Sequence, residues 1–139
     1  MALSTIVKYV QRKHFSEEIC SLRDGKELNR KNALKKLNVF LDSDQLLRVG
    51  GRLNNAQCVY DRKHQIILPR NDEVTVLLIR EQHLFGLHSG PKLTETLLRR
   101  KYWIIDMKRT VKRVVRKCVV CAKIQPRTME QLMGSLKNE

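Results

Sequence analysis

Apolar residues near the N-terminus recur with the period of amphipathic helices. Across Leu3–Leu22 they stand three or four positions apart among charged residues, and the acids after Ser16 are typical of a helix start. The pattern predicts one or two helices that end at Asp24-Gly25. Residues 26–38 are rich in Lys, Arg and Asn, and we expect them to be irregular.

Short runs of strand-forming residues begin at Val39. Runs over 39–41 and 46–49 flank the turn residues 42–44 and predict a hairpin. A further run over 65–68 ends at Pro69 and is expected to add a third strand to the same small antiparallel sheet.

The helical period returns after residue 70. It predicts helices over 72–83, from Pro91 to Trp103, and over 107–117. Asn71 is the candidate N-cap of the first helix, because acids fill the turn that follows it, where the helix dipole favours them. The fold class predicted from these elements is α+β.

Composition favours a small core and a polyanionic partner. The 139 residues are 42% hydrophobic but only 5% aromatic. A small subdomain would therefore need an added crosslink, such as a bound metal ion, to be stable. The net charge is +14, which favours nucleic acid, and no apolar run is long enough to span a membrane. Without an apolar signal core, the chain is expected in the cytosol or nucleus with reduced thiols; no small-molecule substrate is indicated.

Four cysteines and four histidines are the candidate ligands for a metal. In a reducing compartment, metal binding is more plausible than disulfide formation for the close pair Cys118 and Cys121. Cys20 and Cys58 are interpreted as buried thiols that act as small hydrophobes. The remaining histidines, His14 and His64, have no close Cys or His partner and are interpreted as surface residues.

The strongest local motif combines two histidines with two cysteines. His83 and His88 are separated by four residues, and Cys118 and Cys121 by two, with 29 residues between the pairs. Two imidazoles and two thiolates suit a closed tetrahedral site for one structural Zn²⁺ ion. Because the pairs flank two predicted helices, folding back would bring them together.

Two other functions of these His and Cys residues, a redox dithiol and a catalytic zinc site, have less support in the sequence. A Cys-x-x-Cys pair alone could be a redox dithiol. A zinc deaminase would need a Glu where Phe85 stands and a Pro where Lys117 stands. Four protein ligands leave no open position for catalysis, so the sequence predicts no enzymatic activity for this chain alone.

A dense cationic stretch begins near the end of the second predicted helix and includes the third. Between Arg99 and Lys117 there are nine basic residues and one acid, Asp106. A solvated face is the plain alternative, but helices that only need solubility usually mix charges of both signs, and this density favours phosphate contacts with double-stranded DNA. The candidate DNA-binding residues are Lys92, Arg99, Arg100, Lys101, Lys108, Arg109, Lys112, Arg113, Arg116 and Lys117.

The two helices around this stretch predict a helix-turn-helix-like unit. No presented row of Asn or Gln side chains is evident for reading bases, so contacts to the DNA backbone are expected to dominate. Trp103 is expected in the small core beside Leu97 and Leu98.

The motif resembles the HHCC zinc-binding domain of retroviral and LTR-retrotransposon integrases. The similarity rests on His83, His88, Cys118 and Cys121, with Leu97-Leu98-Arg99 and Tyr102-Trp103-Ile104 between them. Upstream, the segments 46–53 and 64–69 resemble the region that precedes this domain in BEL/Pao-type elements. The resemblance therefore covers nearly the whole chain.

This resemblance implies a zinc-stapled bundle of three or four helices behind a small mixed extension. In that family the zinc module contacts the element's terminal DNA and neighbouring integrase subunits within the intasome. Strand transfer there uses an acidic triad in a core domain, expected after Glu139, so polynucleotidyl transferase activity would belong to a parent integrase. A domesticated host protein is equally compatible.

The expected organisation has three parts. Residues 1–70 form an extension that braces the zinc domain, 71–125 form the HHCC domain, and 126–139 form a linker. The expected function is DNA binding and homo-oligomeric assembly in a retrotransposon integrase, in the nucleus and, before nuclear entry, in the cytoplasm. The alternative is a multimerisation module with little direct DNA binding.

Overall fold

A computed structural model describes residues 2–51 and 57–124. The linker expected over 126–139 lies outside the described residues. The α-helices are α1 (Ala2–His14), α2 (Ser16–Arg23), α3 (Tyr60–Lys63), α4 (Glu73–Phe85), α5 (Pro91–Leu98), α6 (Met107–Arg116) and α7 (Val119–Ile124). The strands are β1 (Phe40–Leu41), β2 (Leu47–Arg48), β3 (Ile66–Leu68) and β4 (Tyr102–Ile104), and Ala33–Leu37 form a 3₁₀ helix.

The α+β class is confirmed, and the sheet is larger than expected. Its strand order is β1-β2-β3-β4. The first two pairings are antiparallel, whereas β3 and β4 pair in parallel, with Ile66 opposite Tyr102 and Leu68 opposite Ile104. The three predicted strands do pair antiparallel, and the parallel strand β4 was not predicted.

Strand β4 also corrects the second predicted helix. That helix, α5, ends at Leu98 instead of continuing to Trp103. The three residues Tyr102, Trp103 and Ile104 are bulky and suit a pleated sheet, so pairing with β3 takes precedence over the helical pattern. Because β4 stands between α5 and α6, these helices are not joined by the short turn of a helix-turn-helix.

The sheet separates two apolar cores. One core contains Ile66, Leu68, Tyr102 and Ile104 together with residues of α4, α5 and α6. The other contains Leu47 and Ile67 with residues of α2 and the 3₁₀ helix, and Trp103 packs against it. Alternate strand residues face opposite sides of a sheet. Trp103 thus lies across the sheet from Leu98, so its expected place beside Leu98 was wrong.

Helix α1 is tied to the sheet by a buried glutamine. Gln11 is fully buried; its amide nitrogen donates to the carbonyls of Leu47 (2.9 Å) and Ile67 (2.8 Å), and its amide oxygen accepts from the Leu47 N–H (2.8 Å). These groups belong to β2 and β3, which share a single pair of facing residues, Arg48 and Ile66. Gln11 completes the hydrogen bonding where the two strands separate.

The first turn of α4 is capped one residue later than predicted. Asp72, not Asn71, is the N-cap, and its carboxylate accepts from the Val74 N–H at 3.0 Å. The other carboxylate oxygen lies 3.0 Å from Nε2 of His14 at the end of α1. Asp72 therefore caps α4 and joins it to α1. The N-terminal helix packs on the same body as α4, and the predicted division at residue 70 remains a prediction.

Other differences are local. The segment expected to be irregular contains the 3₁₀ helix, which is capped by the Asn32 side chain. Helices α3 and α7 were not predicted, since four and six residues are too short for a periodic signal. No helix in the described ranges is long and apolar enough to cross a membrane.

Candidate metal centre and the surface around it

The two histidines lie at and just beyond the C-terminal end of α4. His83 stands in the last turn of α4 and is 3% exposed. The helix ends at Phe85 with Gly86 as its C-cap, and the chain then turns through Leu87 and His88, which both have left-handed backbone conformations (φ 51° and 60°). This turn brings the His88 side chain back towards His83, so the two histidines converge without sharing a helical face.

The two cysteines come from the junction between α6 and α7. Cys118 follows α6, and Cys121 lies in α7. Because α5 and α6 fold back on α4, the four side chains meet, and their donor atoms all lie within 4.8 Å of one another. The structure therefore brings together the four predicted zinc ligands: His83, His88, Cys118 and Cys121.

The separations between the donor atoms are close to those of a tetrahedral zinc site. With Zn–S about 2.3 Å and Zn–N about 2.0–2.1 Å, a tetrahedron places N and N about 3.3 Å apart and N and S about 3.5 Å apart. His83 Nε2 lies 3.3 Å from His88 Nδ1, and the same 3.3 Å separates Cys121 Sγ from His83 Nε2 and Cys118 Sγ from His88 Nδ1. Cys121 Sγ lies 3.8 Å from His88 Nδ1. These residues fit one Zn²⁺ ion with all four positions filled.

The Nδ1 atom of His83, which does not face the other ligands, already forms a hydrogen bond. Nδ1 lies 2.9 Å from the Ser89 carbonyl oxygen, so its N–H donates there and Nε2 is left with the lone pair that a metal needs. Fully buried Thr94 also contacts this loop, because its hydroxyl oxygen lies 3.1 Å from Ser89 Oγ. Ser89 and Thr94 were not predicted as site residues; only the position of Ser89 directly after His88 could have suggested one of them.

The loop between the histidines is tightly packed around Gly86. A Cβ at this position would lie 2.6 Å from Ser89 Oγ and 3.3 Å from the Gln82 carbonyl oxygen. Only glycine fits there without a shift of the loop that carries His88.

The two thiols differ in acidity. A hydrogen bond from the Cys121 backbone N–H lowers the pKa of the Cys118 thiol. Desolvation and the neighbouring Cys118 raise the pKa of Cys121. A bound zinc ion would supply the positive charge that holds both as thiolates and would crosslink α4 to the α6–α7 junction.

All ten candidate DNA-binding residues are exposed. Five of them, Lys108, Arg109, Lys112, Arg113 and Arg116, project from α6, whose other side is buried through Val111, Val114 and Val115. Two of the ten already have acidic neighbours: Arg99 pairs with Glu95 at 2.7 Å and Arg109 with Asp106 at 3.5 Å. The structure places these cations on the surface, and their role in DNA binding remains a prediction.

The other predicted cysteines and histidines lie away from this centre. Cys20 is exposed and Cys58 is half-buried, so the expectation of buried thiols was wrong; both are free. His14 is exposed, as expected. His64 is half-buried, its Nδ1 lies 3.1 Å from the Val49 carbonyl oxygen, and its ring packs against Phe40 and Tyr60, so it is not a simple surface residue.

An apolar surface surrounds the metal centre. Phe85 is 76% exposed and Leu87 is 89% exposed. Beside them a cleft of about 630 Å³ runs between α4 and the α6–α7 junction, where Leu84, Val119 and Val120 meet the basic Arg80 and Lys117. Exposed apolar residues lie within three positions of a ligand, and we call this set the zinc-proximal apolar surface: Leu84, Phe85, Leu87, Val119, Val120 and Ile124.

A known protein family is similar to part of the chain. Residues 71–127 match the family model of the integrase zinc binding domain. The matched segment contains all four converging ligands and all ten of the candidate cations. Comparison of the chain with curated proteins and with solved structures gives no significant match.

Proposed function

We propose that this chain, whose residues 71–127 are an integrase zinc-binding domain, is a DNA-binding and assembly module of an LTR-retrotransposon integrase of the BEL/Pao type. In this proposal it contacts element-end DNA and neighbouring subunits during integration in the nucleus, after passage through the cytoplasm. The chemical step belongs to the core domain of a parent integrase. A domesticated host protein built on the same module would bind in the same way.

The observation that carries the DNA-binding proposal is the single-signed outer face of α6. Lys108, Lys112 and Arg116 project from this face, while its inner valines are part of the core. The packed helix fixes the backbone of these cations, so only side-chain freedom is lost when they meet a phosphate backbone. Each phosphate that is neutralised contributes about 0.9 to the slope of log affinity against log salt concentration.

The zinc centre supports this face from one end. Cys118 lies two residues after the end of α6, and His83 belongs to α4, which packs against α6. A zinc ion shared by these ligands fixes the end of α6 relative to α4. The metal therefore serves DNA binding by holding the cationic helix in place.

A salt titration of duplex binding by fluorescence anisotropy tests this proposal. Replacing Lys112 and Arg116 by Glu should weaken binding at least about tenfold and make it less sensitive to salt. The matched control replaces the exposed Lys31 and Lys36 by Glu, which changes the net charge equally on another part of the chain. An equal loss in the control, or no salt-sensitive binding by the unmodified chain, would contradict the proposal.

The zinc-proximal apolar surface favours assembly as the second candidate function. Exposed apolar patches often mark protein interfaces, and this surface includes Phe85 and Ile124, which is 71% exposed. Sedimentation at increasing concentration should show association that is lost when both residues become Ser. The control changes exposed Tyr9 and Val59 to Ser. Association without duplex binding would favour a pure multimerisation module.

A further inference from the structure

Three arginines border one cleft between the turn after β3 and the N-terminal half of α6. The cleft has a volume of about 410 Å³ and is lined by Arg70, Asn71, Asp106, Arg109, Thr110 and Arg113. We propose that this cleft binds one phosphate group of a nucleic-acid backbone. The inference rests on the proposed DNA-binding function and assigns it a defined anchoring point.

Each arginine already contacts another group of the cleft. A guanidinium nitrogen of Arg113 donates to the Arg70 carbonyl oxygen at 3.2 Å, which joins α6 to the turn after β3. The Asp106 carboxylate lies 3.8 Å from the guanidinium of Arg70 and 3.5 Å from that of Arg109. Three arginines of two separate segments therefore meet at one cleft, and the Asp106 carboxylate occupies two of them in the absence of a ligand.

The charge in the cleft suits a phosphate. Three guanidinium groups face one carboxylate, so the lining retains an excess of positive charge, and the Asn71 amide adds neutral hydrogen-bonding groups. The planar guanidinium fork matches the oxygens of a phosphate better than an ammonium group does. The Thr110 hydroxyl donates to the Asp106 carbonyl oxygen at 3.1 Å, so its proton is already engaged.

The cleft differs from the rest of the cationic face. Within the described part of the chain, no ion pair holds Lys108, Lys112 or Arg116, which extend into solvent from α6. Such side chains attract a backbone without fixing its register, whereas positioned contacts to phosphates orient a protein on a duplex. The cleft is therefore where the register is set, and it includes Arg70, which lies outside the cationic stretch of the sequence.

Loss of one arginine should weaken duplex binding by a defined amount. Arg70→Gln and Arg113→Gln are each expected to reduce the affinity for a 20-base-pair duplex about fivefold to tenfold at low salt, and to lower the salt slope by about 0.9. The matched control is Arg30→Gln, an exposed arginine of the segment before the 3₁₀ helix. It should change the affinity less than about twofold, because it removes only distant charge.

A gain of affinity provides a test that misfolding cannot imitate. Asp106→Asn removes the carboxylate that competes with phosphate for Arg70 and Arg109. Asparagine also tolerates the left-handed backbone of this position (φ 53°). Duplex affinity should rise about threefold to fivefold. The control Asp44→Asn removes the same charge from the exposed turn before β2 and should have a smaller effect.

Inorganic phosphate separates this inference from the proposed function. In the NMR spectrum of the zinc-loaded chain, added phosphate should shift the Nε–H signals of Arg70 and Arg113 in a saturable way and leave Arg30 unchanged. Phosphate shifts without any duplex binding would support the cleft and contradict the proposed function. Duplex binding that depends on Lys112 but not on Arg70, with no phosphate shifts, would overturn the cleft. Phosphate shifts together with duplex binding that is indifferent to Arg70→Gln would overturn its assignment to nucleic acid.

Discussion

Replacing Gln11 by Leu should separate α1 from the sheet at a high energetic cost. The substitution keeps the approximate volume of the side chain but removes its amide. The amide nitrogen donates to two carbonyls and the amide oxygen accepts one N–H, all from β2 and β3. Gln11 is fully buried, so water cannot replace these bonds.

The magnitude follows from the backbone groups left behind. A buried polar group without a partner costs about 1–3 kcal/mol, and three such groups are created at Leu47 and Ile67. The additional apolar surface of Leu offsets part of this cost, about 1–2 kcal/mol. The free energy of unfolding should therefore fall by about 1–8 kcal/mol, with a central value of about 4 kcal/mol, which is a large part of the roughly 5–15 kcal/mol that a typical domain has.

Urea denaturation of the zinc-loaded chain, followed by far-ultraviolet circular dichroism, measures this loss. The matched control is Gln57→Leu, the same change at an exposed position before α3, which should alter the free energy by less than about 0.5 kcal/mol. A loss below about 1 kcal/mol for Gln11→Leu would show that these hydrogen bonds do not hold α1 on the sheet and would refute the reasoning.

Two further substitutions test the loop of the metal centre and the buried ion pair. Gly86→Ala places a Cβ 2.6 Å from Ser89 Oγ. Zinc affinity, measured against a competing chelator, should therefore fall about tenfold, within the range seen for changes around metal ligands. The control Gly90→Ala, whose Cβ would meet nothing within 4 Å, should leave zinc affinity unchanged, and equal affinities of the two variants would contradict the packing argument. Arg48→Met leaves the 5% exposed carboxylate of Asp42 without its partner, so urea denaturation should show a loss of about 3–5 kcal/mol. Changing Asp42 to Asn as well should recover part of that loss, and a loss no greater in Arg48→Met than in Lys36→Met, at an exposed site, would contradict this view of the pair.

The metal centre could be predicted because the types and short spacings of metal-binding residues are visible in the sequence. The pairs His83 with His88 and Cys118 with Cys121 have spacings that allow each pair to share one ion. The helices between the pairs fold back on each other, so that the two histidines and the two cysteines meet. The residue type of Ser89 gave no sign of its contribution, because its backbone carbonyl, and not its side chain, fixes His83.

The sheet was harder to predict because its last pairing is not local. Strands β3 and β4 are separated along the chain by α4 and α5, and each has only three residues. Tyr102-Trp103-Ile104 has residue types that favour a strand, but three residues are too few to outweigh the apolar helical pattern that precedes them. Pairing with β3 decides that these residues form a strand, and this pairing cannot be recognised from the sequence around them.

Buried polar residues were missed for a related reason. Gln11 and Arg48 appear in the sequence as ordinary surface residues of a helix and a strand. Gln11 is buried because β2 and β3 separate beneath it, and Arg48 because Asp42 and Asp61 meet its guanidinium. Their environments depend on three or more segments that converge in space.

The metal content of the purified chain tests the central claim most directly. Native mass spectrometry should find one zinc ion per chain, and none in Cys118→Ser. Because structural zinc contributes roughly 10 kcal/mol or more of folding energy in small domains, the variant should also lose helical circular dichroism. An unmodified chain that folds fully without metal would contradict the zinc centre and the DNA-binding surface that is proposed to depend on it.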